Sequence, residues 1–287
     1  MLFYASKCHD VLNMLEFAPE KYAGQLMLNP NYPRVTIPPE CKYIMDSGAF
    51  QDVADDKRLS FKSALERQLN FENKLGVKAE AIVSYDRLVD EQLTNGKQVK
   101  QRVDYNLGAD YVEETIKAAE YLSRALPDRT LVLSNQGTNV KQYVECVEHT
   151  LNVSKTGDII GIGGFCILSR NKQYRLDYFE ILKEILPKLQ SKKIQRIHIF
   201  GMGVIDVLIQ TDIICKKYGV TCSYDTSSLE LNSVFGRVFN PVPGMIQSIF
   251  SREDKYRSYQ PAILAHTNIA NVTAFWANFD NIFLGVD

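Results

Sequence analysis

Tyr43-Ile44-Met45-Asp46-Ser47-Gly48-Ala49-Phe50-Gln51 is an apolar run that stops on a carboxylate, a hydroxyl, a glycine, a small residue and an aromatic. Such a run reads as a buried strand that delivers an acid to the mouth of a pocket. The plan recurs along the chain. Ala79–Tyr85, with Ile82 and Val83, ends at Asp86, and Thr130–Leu133 ends at Ser134-Asn135-Gln136-Gly137. Asp158–Ile160 leads into Gly161-Ile162-Gly163-Gly164, Ile197–Phe200 into Gly201-Met202-Gly203, and Val220–Tyr224 into Asp225-Thr226-Ser227-Ser228.

Helical periodicity fills the intervals. Ser60 is placed to cap a face made of Phe61, Ala64, Leu65, Leu69 and Leu75, which Gly76 stops. Asp110, with Glu113 as its capping-box partner, predicts a second helix through Ile116, Ala119 and Leu122. Asn139 caps a third (Val140 to Leu151). Tyr174 to Leu189 and Val204 to Cys215 mark two more. Strand and helix in alternation predict a parallel sheet, because a parallel crossover needs an intervening helix.

A closed (β/α)8 TIM barrel and an open doubly wound sheet both fit this length; polar tips on nearly every strand favour the barrel over a single switch point. Residues 2–5 supply the first strand; a mixed segment rich in Pro and Asn follows to about 40, and Pro30, Pro33, Pro38 and Pro39 make its second half mostly loop. Seven strands can be counted, and the eighth is sought near Val234–Val238. The expected organisation is an α/β barrel domain over 1–240 and a helical appendage over 241–287, centred on Ile263 to Phe275 and packed on the barrel.

The bulk numbers narrow the classes. At 287 residues, 45% hydrophobic and 23% charged, the chain can build a sizeable core, and its net charge of -1 argues against a general basic coat for nucleic acid. Local basic clusters occur at Lys192-Lys193 with Arg196, at Lys216-Lys217, and at Arg252, Lys255 and Arg257. The 6 cysteines show no CxxC, CxC or CxxH spacing, so they read as buried reduced thiols and not as a zinc knuckle. The first residues lack a basic, then apolar leader, and no apolar run approaches the roughly 20 residues of a membrane span. A cytoplasmic protein with no membrane partner is expected.

In a parallel barrel the strand C-termini face the catalytic mouth, which gathers Asp46, Asp86, Gln136, Gly163, Gly164, Met202 and Asp225 around one cavity. Two carboxylates across a pocket suit substitution at a sugar anomeric carbon, one as nucleophile and one handling the leaving group's proton. Composition alone does not separate this from acid/base work on another substrate. A planar base would need an amide or carboxylate for its edge and apolar faces for its rings; Gln136 with Asp86, and Phe50 with Met202, are of the right types. Taken singly, each Asp also reads as a helix cap or turn residue, Gly161–Gly164 as a tight turn, and Met202 and Phe50 as core.

The set in this order resembles the tRNA-guanine transglycosylase superfamily over roughly residues 40–230. Asp46-Ser47-Gly48-Ala49-Phe50-Gln51 is similar to that family's Asp-Ser-Gly-Gly-Phe-Gln segment, and Ser84-Tyr85-Asp86 to its guanine-edge aspartate. Asn135-Gln136-Gly137 resembles its Gln-Gly loop, Ile162-Gly163-Gly164 its Ile-Gly-Gly donors, and His198 to Gly203 its Met-Gly-Val-Gly strand end. Tyr224-Asp225 sits where the family's nucleophile would be. The resemblance implies that Asp225 attacks C1′ of a guanosine while Asp46 acts as general acid/base. It implies that Asp86, Gln136 and the Gly163 and Gly164 amides read the base edge, with Phe50 and Met202 sandwiching the ring. A free 7-substituted 7-deazaguanine base (preQ0/preQ1-type) would then reclaim C1′, with no cofactor.

Three departures stand out: Ala49 for the second glycine, Thr226-Ser227-Ser228 for the family's Pro-Thr-Arg, and no three-cysteine, one-histidine zinc spacing. With the shorter chain, they make the sequence look most like the DNA-guanine transglycosylases, often encoded by phages. DNA is then the expected partner, with tRNA as the alternative polymer. A non-catalytic partner subunit, disfavoured by the retained Asp46 and Asp225, and an unrelated phosphate-binding barrel enzyme are the other readings. Arg252, Lys255 and Arg257, with the 90–108 loop, are the candidates for contacts to a nucleic-acid backbone. Whether the chain pairs as a homodimer stays open at this level.

Overall fold

The computed structural model describes residues 1–6, 25–32, 37, 41–89, 102–166, 171–242, 244–248 and 260–284. Eight parallel strands close into a barrel in chain order. They are β1 (Leu2–Ser6), β2 (Gln25–Leu28), β3 (Tyr43–Met45), β4 (Ala81–Val83), β5 (Leu131–Asn135), β6 (Ile159–Ile162), β7 (Arg196–Ile199) and β8 (Thr221–Thr226). Closure is made by β8 against β1, in a register that sets Tyr4 beside Asp225.

Each strand is buried on both faces, so its residues sort by alternation into two apolar clusters. Tyr4, Met27, Ile44, Ala81, Val83, Val132 and Ile159, with Phe200 against them, form the inner one. Leu26, Leu28, Tyr43, Met45, Ile82, Leu131, Leu133, Ile160 and Ile162 belong to the larger cluster shared with the helices. The same alternation puts Asp225 of β8 on the inner face and, continued past the ends of β3, β5 and β7, keeps Asp46, Gln136 and Phe200 there. A one-residue slip in any of these strands would turn its functional side chain into the helix layer.

The helices of the barrel are α1 (Ala49–Ala54), α2 (Phe61–Leu75), α3 (Tyr105–Ala125), α4 (Val140–Val153), α5 (Lys172–Ser191) and α6 (Ile205–Lys216). Ser60 caps α2 by accepting from the Ser63 amide, and Gly76 ends it in the left-handed region at φ 69°. Asn139 caps α4 by accepting from the Gln142 amide. On α5, Tyr178, Ile181, Leu182, Ile185, Leu186 and Leu189 are the buried face. Cys146, Cys215 and Cys222 are buried free thiols, and Cys41 and Cys166 are half-buried.

Four expectations are corrected. The eighth barrel strand is β2, inside the stretch read as loop; Val234–Val238 instead spans the end of α7 (Ser228–Val234) and the start of β9 (Arg237–Asn240). The strand β9 pairs antiparallel with β10 (Met245–Ser248) outside the barrel, so the segment after residue 240 is not helical throughout. The helix α3 starts five residues before Asp110, just after the cap Asp104, whose carboxylate accepts from the Asn106 and Leu107 amides. Glu113 meets Lys117 one turn on and forms no capping box.

The appendage helix α8 (Gln260–Leu284) is longer at both ends than the expected Ile263 to Phe275. It seats against the barrel, where the Trp276 indole N–H donates to the Tyr224 hydroxyl at 2.9 Å. Asn268 stitches it to the preceding segment, accepting from the Phe239 amide and donating to Leu229 O, Ser233 Oγ and Arg237 O. Among the described residues no helix is long and apolar enough to cross a membrane.

Candidate active site

The strand ends carry the acids into one mouth. Asp46 follows β3, and its backbone is pinned on both sides: its amide donates to Leu28 O at 2.8 Å, and Gln68 bridges Asp46 O and Val83 O. Its carboxylate accepts from the Ser47 amide at 2.7 Å and from Asn29 Nδ2 at 3.3 Å. Gly48 turns the chain into α1 at φ 77°, and a Cβ there would lie 2.7 Å from Arg67 Nη2. Glycine is therefore required twice over, by conformation and by space. Arg67 holds this turn from below through Ser47 O and a two-pronged pair with Asp52.

Asp225 lies near the end of β8. Its Oδ1 accepts from the Gly201 amide at 2.9 Å and lies 3.2 Å from His198 Nε2. Asp46 lies close enough to Asp225 to feel its charge. Burial first, then the Asp225 charge, push the Asp46 carboxyl up to about 7; Asp86 adds to this, and the Ser47 and Gly48 amides only partly offset it. An acid with a midpoint near neutrality can both give and take a proton under ordinary conditions.

Asp86 follows β4 and is buried. Its Oδ2 accepts from Gln136 Nε2 at 2.6 Å. Burial pushes its carboxyl up, against the opposing pull of the Gln136 bond and the Arg58 charge. Arg58 lies 4.2 Å from the Tyr85 ring centroid, donates to Asp86 O and pairs with Glu114, which fixes the Asp86 backbone from outside. Gln136 is 1% exposed, and its Oε1 has no partner among the described residues. A buried carbonyl oxygen left unpaired costs free energy, so it marks where a donor from a ligand would be welcome.

Gly163 and Gly164 lie against Gln136; a Cβ on Gly163 would sit 2.3 Å from Gln136 Nε2. The Gly163 amide is engaged with Asn135 O at 3.1 Å, which corrects the expectation that both glycine amides are available. Gly163 O accepts from the Tyr143 hydroxyl at 3.2 Å. Because the peptide is trans, the Gly164 N–H points away from Tyr143, and it has no acceptor among the described residues. Arg102, over the rings of Phe165 and Tyr174, donates to Gly164 O and Thr138 O and holds the loop from the other side.

Geometry thus brings together Asp46, Asp225, Asp86, Gln136, Gly163 and Gly164. Phe50 and Met202 are less closely tied: Phe50 is 49% exposed, and Met202 is buried in the cluster shared with the helices. Neither makes a hydrogen bond or ring contact with that group among the described residues. Arg252, Lys255, Arg257 and most of the 90–108 loop lie outside the described residues. Among the described residues no group of three metal-ligating side chains occurs.

The structure adds residues to which sequence reasoning gave no role: His198, Ser223, Asn29, Arg58, Arg67 and Arg102. Two had a signal. His198 and Phe200, and likewise Ser223 and Asp225, are two apart in strands and so share a face. No model of a known family matches the chain, and no curated protein matches it.

Proposed function

We propose that the protein is a transglycosylase that exchanges guanine in DNA for a 7-deazaguanine base through a covalent aspartyl-nucleoside intermediate. The observation that supports it best is the pair Asp46 and Asp225, two acids in one mouth, one with a midpoint raised to about 7. Beside them, Asp86 and Gln136 offer an acceptor-rich buried edge of the kind a guanine's N1–H and 2-amino group would meet. The Gly164 amide, with no acceptor among the described residues, would serve as a further donor.

In the proposed reaction Asp225 attacks C1′ and forms an ester bond as the bond from C1′ to N9 breaks. The electron pair leaves with guanine, and Asp46 in its acid form supplies the proton. The incoming 7-deazaguanine gives its N9 proton to the Asp46 carboxylate and attacks C1′, and the Asp225 carboxylate departs. Two inversions give net retention. One purine-like base replaces another, so the reaction itself asks for no oxidant and no nucleotide. Reaching C1′ in a duplex requires the guanosine to be flipped out or the duplex to be locally open.

The choice of DNA rests on the sequence departures, above all Thr226-Ser227-Ser228 after the nucleophile and the missing zinc-ligand spacing. Radiolabelled guanine exchange into duplex DNA, single-stranded DNA and tRNA, with Asp225→Ala as control, tests the proposal. Label in DNA alone, abolished by the substitution, is the expected result. Label in tRNA alone would move the protein to the tRNA-directed enzymes, and no label anywhere would reject the chemistry.

A further inference from the structure

His198 is the one buried imidazole in the inner layer of the barrel among the described residues, with no accessible surface. The rings of Tyr4 and Phe200 pack edge-on against it, at 5.7 and 5.0 Å between centroids. Its strand neighbour in register is Ser223, whose Oγ lies 2.9 Å from Nδ1; on the other side Nε2 lies 3.2 Å from Asp225 Oδ1. A cradle this specific has to be satisfied proton by proton.

The count leaves little freedom. An ionised carboxylate only accepts hydrogen bonds, so Nε2 must carry a proton; otherwise two lone pairs would face each other in a dry site. Ser223 can serve Nδ1 in two ways. Its hydroxyl donates to Nδ1 of a neutral ring, or it donates to Ile197 O at 3.1 Å and accepts from Nδ1–H of a charged ring. Both leave Nε2–H on Asp225. Both donors to the Asp225 carboxylate then fall on Oδ1, and Oδ2 has none among the described residues.

We propose that His198, held by Ser223, is a positioning residue: its Nε2–H and the Gly201 amide tie Asp225 Oδ1 and leave Oδ2 as the oxygen that bonds to C1′. This rests on the transglycosylase reading. When Oδ2 bonds to C1′, Oδ1 becomes an ester carbonyl oxygen and keeps both donors, but more weakly, since the charge is gone. When that bond breaks, its electron pair returns to the carboxylate, and the donors stabilise the charge again. His198 therefore favours release over accumulation. Removing its donor should raise the ratio of adduct to free enzyme about fivefold to tenfold and slow release, by the difference between a charged and a neutral hydrogen bond.

Two measurements on the full-length protein test this. With 15N-histidine labelling, the His198 signals, assigned by their loss in His198→Gln, should show a protonated Nε2 in the free protein. An unprotonated Nε2 overturns the proposal whatever reaction the protein catalyses. Covalent adduct is then trapped on guanosine-containing DNA and on tRNA with His198→Phe and His198→Gln. The expected result is more adduct and slower release for His198→Phe, restored toward wild type by the amide donor of His198→Gln. Equal losses in formation and release in both variants would reduce His198 to packing and overturn the proposal. If the wild type forms no adduct on either polymer, the transglycosylase reading fails, and the Nε2 spectrum alone decides whether His198 orients Asp225.

Discussion

Where the barrel strands begin, Glu72 takes two hydrogen bonds from Arg129 at 3.0 and 2.7 Å, and Glu80 takes one each from Arg196 and the Tyr4 hydroxyl. Where the strands finish, Asp46, Asp86 and Asp225 crowd together, and no lysine or arginine is bonded to any of their carboxylates among the described residues. Burial raises Glu72 too, but the Arg129 bonds and charge outweigh it and hold its carboxyl below the usual range. At the mouth burial and the Asp225 charge outweigh the Ser47 and Gly48 amides, and Asp46 rises to about 7. One end of the barrel pairs its acids with arginines, and the other leaves Asp46 with a raised midpoint, as the proposed proton transfer needs.

The largest effect expected is on chemistry. In the proposed reaction Asp225 is the nucleophile, so Asp225→Asn should lower base exchange by at least about 10³-fold. It removes one of the crowded charges at the mouth, so thermal denaturation should show stability no lower than wild type. A large loss of stability would mean that the mouth is structural like the base. Glu72→Gln should do the reverse. Leaving Arg129 without its carboxylate should cost about 3 kcal/mol in denaturant unfolding, with turnover per folded molecule unchanged.

Asp46→Asn separates the two ends by pH. The folded midpoint of Asp46 lies above that of an unfolded aspartate, so ionising it costs stability as pH rises between the two values. Wild type and Asp46→Asn should be equally stable near pH 4. By about pH 8 the variant should be the more stable, on the order of 2 kcal/mol, as read by urea titration at each pH. The exchange rate of the wild type should fall above about 7 as the acid form is lost, and the variant should show no such limb. The smallest effect is Gly48→Ala, where a left-handed backbone and the Arg67 contact should together cost about 1–2 kcal/mol and displace Asp46. A fully active, fully stable Gly48→Ala would show that the turn does not position the acid.

The barrel was legible because its local signals agree. Apolar runs end on polar tips, and caps such as Ser60 and Asn139 stand where helices start. The strand β2 escaped because Gln25-Leu26-Met27-Leu28 has no β-branched residue and is followed at once by Asn29-Pro30; only closure of the sheet selects it as a strand. Asp104 escaped because it begins a helix inside a polar stretch with no apolar periodicity of its own. In the site, the acids and Gln136 were readable as strand ends, because chain position alone places them. The supports were not: Arg58 reaches Glu114 across 56 residues and Arg102 reaches Gly164 across 62, contacts that only the folded chain creates. The engaged Gly163 amide was hidden for the same reason, since its acceptor, Asn135 O, lies on the neighbouring strand.

The contrast between the two ends can be measured without any substrate. A carbon-detected titration of the side-chain carboxyls, assigned with Asp46→Asn and Glu72→Gln, reports both acids in one experiment. Asp46 should titrate near 7 and Glu72 below the usual glutamate range. An Asp46 midpoint in the ordinary carboxylate range, near 4, would contradict it, because the mouth would then hold a permanently ionised acid with no proton to give.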